Sequence, residues 1–576
     1  MTQVSTLDAE QERAASNPSD ARLIVIAGPG AGKSEVVGER CRRLIEHDVY
    51  PEEILVISFS NVAVHVVRTR TKDVVDEGRG VDCATIDSLA ARVRGALEET
   101  EPRFTGLDDS IQRATRLLED AAAPVFPDVR HVIVDEVQDV VGVRAKFVLA
   151  LLDRGFEDGV GFTLLGDPMQ SLYEFQLEVD EDMSSETFLE TVRQRFEAET
   201  VLLRGEYRSR SPEARAVALA RADLALLDAS DQLLRLRDLA ADLPPLGQLD
   251  EDAADDISSW SGTTALLCDT NARAGLVAAR MSSLGLPVEL AAGAADPSLA
   301  PWIASLLAGR ESLSISFDEF MDLANSSGLA DAEGKWRTLV KVAGSRRGLV
   351  LRDLSVGLRS RRYPPTLLRE PGSAVIASTV HRAKGQEFDN VVLVDPESWF
   401  TENGAASAAA RRLFVAMSRG RSRLTRGRGI STKFWRKDAR EGVWLRTSPR
   451  GHGTLGLILE PQYARHLGPP AEDIAAAGRA AVVWSRTDDI ITVESEELPS
   501  WVAAVDDLVV ARTGEEFGRL VRRLSYGDRV PRLVGGAVEG TETLVDDPYG
   551  DGPGRHGLWV GARVSGPISF EWECAS

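Results

Sequence analysis

Four side chains in this 576-residue chain have the types and spacing to act on a phosphoanhydride: Lys33, Ser34, Asp135 and Glu136. Lys33 and Ser34 end the stretch LIVIAGPGAGKS at 23–34, where Ala27 opens the pattern [AG]-x4-G-K-[ST]. Gly28, Gly30 and Gly32, with Ala31 among them, let the main chain wrap an anion. Backbone amides and the N-terminus of the following helix then oppose its charge. In that arrangement Lys33 reaches the β- and γ-phosphates of a nucleoside triphosphate and the Ser34 hydroxyl holds Mg²⁺. Asp135 and Glu136 directly follow the apolar residues Val132 to Val134. Two acids at a strand end can divide the labour, with Asp135 holding the Mg²⁺ shell and Glu136 orienting or deprotonating the attacking water. The plain alternative is an acidic turn, and the upstream phosphate loop weighs against it.

These residues need a parallel α/β sheet to position them. Leu23 to Ala27 has the length and branching of a strand buried on both faces, and the glycine-rich turn ends it. A helix over 34–47, a strand ILVISFS at 54–60 and a helix opening at Ser60 or Asn61 follow. Residues 82–97 read as a short strand running into a helix, and 98–128 as a polar helical insert. The strand at Val132 to Val134 delivers its acids to the carboxyl edge, where ligands of open α/β sheets collect. A further strand, GFTLLGD at 161–167, leads to Gln170, placed to sense a γ-phosphate, and to Tyr173 and Phe175. That aromatic pair suits either a core or stacking on exposed bases. Ser211 and Pro212 have the types of an N-cap and first helical residue. Gln11, in an amphipathic helix over 7–16, reads from composition alone as a solvated glutamine.

The pattern then begins again without a second phosphate loop. Residues 264–290 are strand, helix, strand; 291–372 form a looser insert; 373–395 hold a strand, a polar loop and another strand; and a helix is expected over 409–424. Arg411, Arg412, Arg419, Arg421, Arg423, Arg426 and Arg428 gather positive charge there. In a chain of net charge −22 such a cluster points to phosphate handling, and the overall charge excludes coating of nucleic acid by bulk positive charge. Apolar content of 43% supports several packed domains. The four scattered cysteines lack metal-site spacing, and no apolar run reaches membrane-spanning length, so a soluble protein of the reducing cytoplasm with no membrane partner is expected. Short alternating runs beyond 436 suggest a β-rich extension.

The order of these signals resembles the UvrD/Rep-type superfamily 1 DNA helicases across roughly 7–425. LDAEQERAA looks like the family's Q motif, AGPGAGKS its phosphate loop, ILVISFSNVAV motif Ia, DEVQD motif II and GDPMQSLYEF motif III. EYRS is similar to motif IV, STVHRAKGQEFDNVVLV to motif V and RRLFVAMSRGR to motif VI. The resemblance implies two RecA-like parallel-sheet motor domains, with abbreviated helical inserts and a small β-rich C-terminal domain. The first motor domain would take 1–97 and 129–205, with 98–128 its short insert. The second would take 206–290 and 373–435, with 291–372 a reduced accessory insert and 436–576 the C-terminal extension.

The resemblance further implies ATP and Mg²⁺ as cofactors, bound between the motor domains. Gln11 would meet the adenine, Tyr207 the base and Glu387 the ribose. Gln170 would couple the γ-phosphate to the DNA side, and Arg208 and Arg419 would reach the γ-phosphate, where an arginine is worth about 10³ to 10⁵ in rate. Phe59, Asn61, Tyr173, Phe175, Thr379 and His381 would contact single-stranded DNA, with movement 3′ to 5′, in DNA repair, recombination or phage defence. The chain departs from the pattern at Glu35, Asp87 and Glu206, and lacks the acid that precedes the arginines of motif VI. An ATP-switched regulatory or scaffold subunit of a nuclease complex, docking a protein partner through 436–576, is the alternative.

Overall fold

The computed structural model describes residues 7–58, 80–97, 106–172, 183–291, 298–345, 348–359, 364–400, 406–439, 442–449, 454–460, 492–493, 501–505, 508–512, 532–546, 548–549 and 556–571. These form two compact units. The first takes Met1–Asp242 with Glu402–Arg423, and the second Leu243–Thr401 with Leu424–Ser576.

The first unit is built on six parallel strands: β1 (Arg22–Ala27), β2 (Ile54–Ser58), β3 (Asp82–Thr85), β4 (His131–Val134), β5 (Gly161–Gly166) and β6 (Glu199–Leu203), in the order β3-β2-β4-β5-β1-β6. The central strands are buried along their whole length, which their continuous apolar runs require. One face packs Ile24, Leu55, Val132 and Leu164 with Phe147 and Phe188, and the other packs Leu23, Val25 and Ile133 with Val36 and Leu44. Helix α1 (Ala9–Ala15) precedes the sheet, and α2 (Lys33–Glu46) follows the glycine-rich turn. Arg40 of α2, fully buried, donates to the Ala15 carbonyl at 3.3 Å and the Pro18 carbonyl at 2.7 Å, tying the two helices together. Helix α3 (Ile86–Leu97) follows β3 as expected. In the insert, α4 (Leu107–Glu119) buries Ile111, Ala114 and Leu118 in the sheet's core, so this segment completes the domain. Helices α5 (Gly142–Arg154), α6 (Ser185–Arg195), α7 (Pro212–Leu224) and α8 (Ala229–Ala241) complete the first stretch of this unit, with Ser211 capping α7.

The helix expected over 409–424 is shorter than the sequence suggests. It runs Ala406–Met417, and Gly420–Arg428 is a strand. The Ser418 hydroxyl turns back to the Val415 carbonyl at 2.9 Å and the Arg419 amide reaches Ala416 instead of continuing the α pattern, so the helix closes before Gly420.

The second unit repeats the architecture with β7 (Pro245–Gln248), β8 (Thr264–Cys268), β9 (Glu289–Leu290), β12 (Val375–Thr379), β13 (Phe388–Val394) and β14 (Gly420–Arg428), in the order β7-β14-β13-β8-β12-β9. Helices α9 (Glu251–Ser258) and α10 (Asn271–Ser283) lie in its first part. Residues between β9 and β12 form α11 (Pro301–Leu307), α12 (Phe317–Ser326), α13 (Ala332–Val342) and α14 (Leu351–Arg359), with a small pair β10 (Ser314–Ile315) and β11 (Leu349–Val350). Leu299, Ile303, Phe320, Leu339, Leu354 and Leu358 of this insert form one core together with Leu558 near the C-terminus. The C-terminal part is antiparallel: β15 (Trp435–Lys437), β16 (Trp444–Thr447), β17 (Thr454–Leu459), β21 (Arg532–Val545) and β22 (Leu558–Glu571) form one sheet. Strands β18 (Thr492–Val493), β19 (Trp501–Val505) and β20 (Leu508–Arg512) form another.

Candidate nucleotide site

Because β1, β5 and β4 are neighbours, the turns after them share one carboxyl edge, with Ile26 opposite Gly166 and Val134 opposite Leu164. That edge brings together the phosphate loop, Asp167 and the Asp135–Glu136 pair. Gly30 and Gly32 have φ of +74° and +82°, the left-handed region that favours glycine. A Cβ on Gly32 would strike Gln11 Nε2, and one on Gly30 would lie 2.5 Å from Glu206 Oε1 and 3.0 Å from Arg208 Cβ.

Gln11 is buried rather than solvated. Its Oε1 accepts from the Asp8 amide at 3.0 Å, closing a capping box on α1, while its Nε2 donates to the Ala31 carbonyl at 3.0 Å. The motif thus holds the phosphate loop from outside through its carboxamide. Tyr207 is largely exposed, its amide bonds the Gly30 carbonyl at 3.0 Å, and its hydroxyl donates to Asp8. That charged hydrogen bond is the main reason its phenol is pushed up to about 12.

Lys33 Nζ donates to the Ala27 carbonyl at 3.4 Å and lies 4.0 Å from Glu136 Oε2. Glu136 itself sits at φ +54°, unusual for a non-glycine residue, and its carboxylate accepts from Gln138 Nε2. Asp135 is 7% exposed, and burial, reinforced by the neighbouring Glu136 charge, raises its carboxyl to about 7. A desolvated acid next to a like charge is a site that a cation relieves. With Ser34 it would hold a Mg²⁺, which would supply positive charge at the phosphates. Among the described residues no cluster of three or more His, Cys, Asp or Glu is placed to hold a metal ion.

From Glu136 the polar contacts continue. Gln138 Oε1 accepts from the Asp167 amide at 3.0 Å, Asp167 Oδ2 accepts from Gln170 Nε2 at 3.1 Å, and Gln170 Oε1 accepts from Arg419 Nη2 at 2.8 Å. Arg419 is 5% exposed and also donates to the Val415 carbonyl at 3.1 Å. Arg208 donates to the Ser418 carbonyl at 2.6 Å, beside Arg419 in sequence. Glu206 Oε1 accepts the Arg208 and Ser209 amides at 3.0 and 2.7 Å, so the acid that departs from the family pattern shapes the turn carrying Arg208. Lys33, Asp135, Glu136, Gln170, Arg208 and Arg419 therefore all lie in the first unit.

Two residues escape sequence reasoning. Arg221, on α7, lays its stem along Gly28, with Cδ 3.5 Å from where a Cβ would sit, and its Nε and Nη2 each approach Asp167 Oδ1 at 3.2 Å. Gln138 links the two acidic turns. Arg221 has no local pattern that marks it, whereas Gln138 lies within DEVQD and was given no role of its own there.

Family models match twice: the UvrD/REP helicase N-terminal domain over residues 7–115 and the UvrD-like helicase C-terminal domain over 374–425. Over these two stretches the chain is similar to the UvrD/Rep-type helicases. The ATP-dependent DNA helicase SRS2 of Saccharomyces cerevisiae is 30% identical over 138 residues, 24% of this chain and 11% of that protein. ATP-dependent DNA helicase PcrA of Leuconostoc citreum is 33% identical over 97 residues, 16% of this chain and 13% of the relative. The match to PcrA of Staphylococcus epidermidis, 32% over 116 residues, covers 19% of this chain and 16% of the relative. These matches thus span less than a fifth of each relative. A solved unliganded Pif1 from Bacteroides sp aligns over 74% of this chain and 94% of its own at 14% identity, with a TM-score of 0.35.

The remaining positions that the resemblance marks for the ribose and the DNA strand belong to the second unit or lie outside the described residues. Thr379 ends β12 and is buried, His381 is half-buried in the following loop, and Glu387 is exposed just before β13. Phe59, Asn61, Tyr173 and Phe175 lie outside the described residues. Asp87, which stands where the family pattern has histidine, faces Arg144 at 3.4 Å, and Arg144 also meets Asp108 at 3.0 Å. No described helix is long and apolar enough to cross a membrane.

Proposed function

We propose that this chain is an ATP-dependent DNA helicase or translocase, moving 3′ to 5′ on single-stranded DNA in DNA repair, recombination or phage defence. The observation that carries it is the continuous polar path from Glu136 through Gln138, Asp167 and Gln170 to Arg419. Such a path ties the water-orienting end of the site to Arg419, the arginine assigned to the γ-phosphoryl group. Lys33 binds the terminal phosphates, Glu136 orients the attacking water and takes its proton, and Asp135 and Ser34 hold Mg²⁺. Mg²⁺, when bound with ATP, neutralises charge on the phosphates. Arg208 and Arg419 stabilise charge that develops on the γ-phosphoryl group, Gln170 reports its presence, and Gln11 and Tyr207 frame the adenine side with Glu387 at the ribose. Thr379 and His381, with Phe59, Asn61, Tyr173 and Phe175, contact the strand.

The complete set of hydrolytic residues favours turnover over a purely regulatory or scaffold role. Lys33→Ala and Glu136→Gln are each expected to abolish ATP turnover while leaving the thermal melt intact, and wild-type turnover is expected to rise with single-stranded DNA. Full turnover in both variants removes the reading. A strand-displacement assay on 3′- and 5′-tailed duplexes tests direction and separates unwinding from ATP turnover alone.

A further inference from the structure

Arg382 follows His381 in the loop between β12 and β13, and its side chain is only 10% exposed. One guanidinium nitrogen donates to the Ala291 carbonyl at 2.9 Å, and another forms an ion pair with Glu460, the residue after β17. Glu460 is 2% exposed and its second oxygen accepts from Asn271 Nδ2 at 3.1 Å. Further contacts join the same two parts of the unit. Arg563 of β22 donates to the Leu290 carbonyl at 2.7 Å. Arg369 forks onto Glu289 at 2.8 and 2.9 Å and reaches the Thr541 carbonyl of β21 at 3.0 Å. Gly275 leaves room for Ile458 of β17, since a Cβ there would lie 2.9 Å from its Cγ2.

The C-terminal sheet therefore grips residues 289–291 at β9, the strand that pairs with β12, and grips the loop after β12 directly through Arg382. An ion pair this desolvated is a weak source of net stability, so the geometry it fixes is the better account of its presence. We propose that Glu460 is a positioning residue for the 379–387 loop. By fixing Arg382 it holds Thr379 and His381 in the arrangement that grips single-stranded DNA, and it makes the C-terminal sheet part of that grip. This rests on the motor reading above.

The test uses the full chain, with ATP hydrolysis titrated against oligo-dT for wild type, Glu460→Gln and Asn271→Ala. Gln keeps the shape of residue 460 and an oxygen for Asn271 but removes the charge facing Arg382. The half-saturating oligo-dT concentration is expected to rise about tenfold in Glu460→Gln and about threefold in Asn271→Ala. The rates without DNA and at saturating DNA should stay within about twofold of wild type, a split that a general loss of structure does not produce. Half-saturation within about twofold of wild type in both variants overturns the inference, as does a proportional fall of both rates. Should Glu460→Gln fail to fold, Asn271→Ala decides alone. A wild-type rate that ignores oligo-dT sinks the motor reading and this inference with it, whereas a responsive wild type with unmoved variants sinks the inference only.

Discussion

A carboxylate with no exposed surface needs a cation close by, and Asp167 takes it from Arg221. The same carboxylate fixes Gln170, which fixes Arg419, so Arg221 acts on the distal arginine through two intermediaries. Arg221→Ala is expected to lower kcat for ATP by about 10-fold to 100-fold with a smaller change in KM, since it misplaces groups without removing any that touch phosphate. Steady-state kinetics with a parallel thermal melt check this, and an unchanged kcat refutes it. Lys33, Ser34, Asp135 and Glu136 were legible because their neighbours in sequence are also their neighbours in space. Arg221 was not: it lies 54 residues from Asp167 on an ordinary-looking helix. His131 was equally silent. Its Nδ1–H donates to the Ser19 carbonyl at 2.7 Å and its Nε2 accepts from the Thr163 hydroxyl at 3.0 Å, fully buried, and burial, with Arg40 nearby, pushes its pKa down to about 3. The folded ring therefore stays neutral while the unfolded one gains a proton below about 6.5, so stability is lost as pH falls from there towards 3. The cost at pH 5 is about 2 kcal/mol. Denaturant melts between pH 7 and 5 should show that slope in the wild type and a flatter one in His131→Gln.

At the scale of elements, the junction of the phosphate loop with α2 is constrained in two ways at once. The residue before Lys33 has a left-handed backbone and faces the carboxamide that spans from α1 to Ala31. Gly32→Ala meets both constraints: the φ strain costs about 1–2 kcal/mol, and the methyl group displaces Gln11. Nucleotide affinity is expected to fall at least about tenfold, and adding Gln11→Ala should recover part of it by relieving the collision but not the strain. Full recovery in the double variant, measured by nucleotide titration, would show that the backbone conformation is not limiting. Strands β1 to β5, β8, β9, β12 and β13 could be read from apolar runs and turn residues, because those signals are local, whereas β6, β7 and helices α5, α6, α8 and α9 could not. The boundary at 417–420 could not: RGRSRL carries no helix stop as strong as proline, and its strand state depends on pairing with distant segments. The two 14-residue strands Arg532–Val545 and Leu558–Glu571 were legible only as β-rich character, since their register depends on each other.

The net charge of −22 sets what the whole molecule can do with a polyanion. Long-range repulsion opposes approach, so any affinity for single-stranded DNA must come from a few close contacts made within about one Debye length, near 8 Å at physiological salt. Few contacts release few counterions. If about three phosphates are neutralised, log K should fall against log salt with a slope near −2, about an 18-fold loss between 50 and 200 mM salt. A bulk-charge binder with many contacts would lose several hundredfold or more over the same range. A titration of fluorescently labelled oligo-dT at four salt concentrations distinguishes these. A flat response would mean that stacking alone holds the strand. A much steeper one would mean that the acidic surface hides an extended basic track, and the picture of a local grip on an otherwise repelling molecule would have to be abandoned.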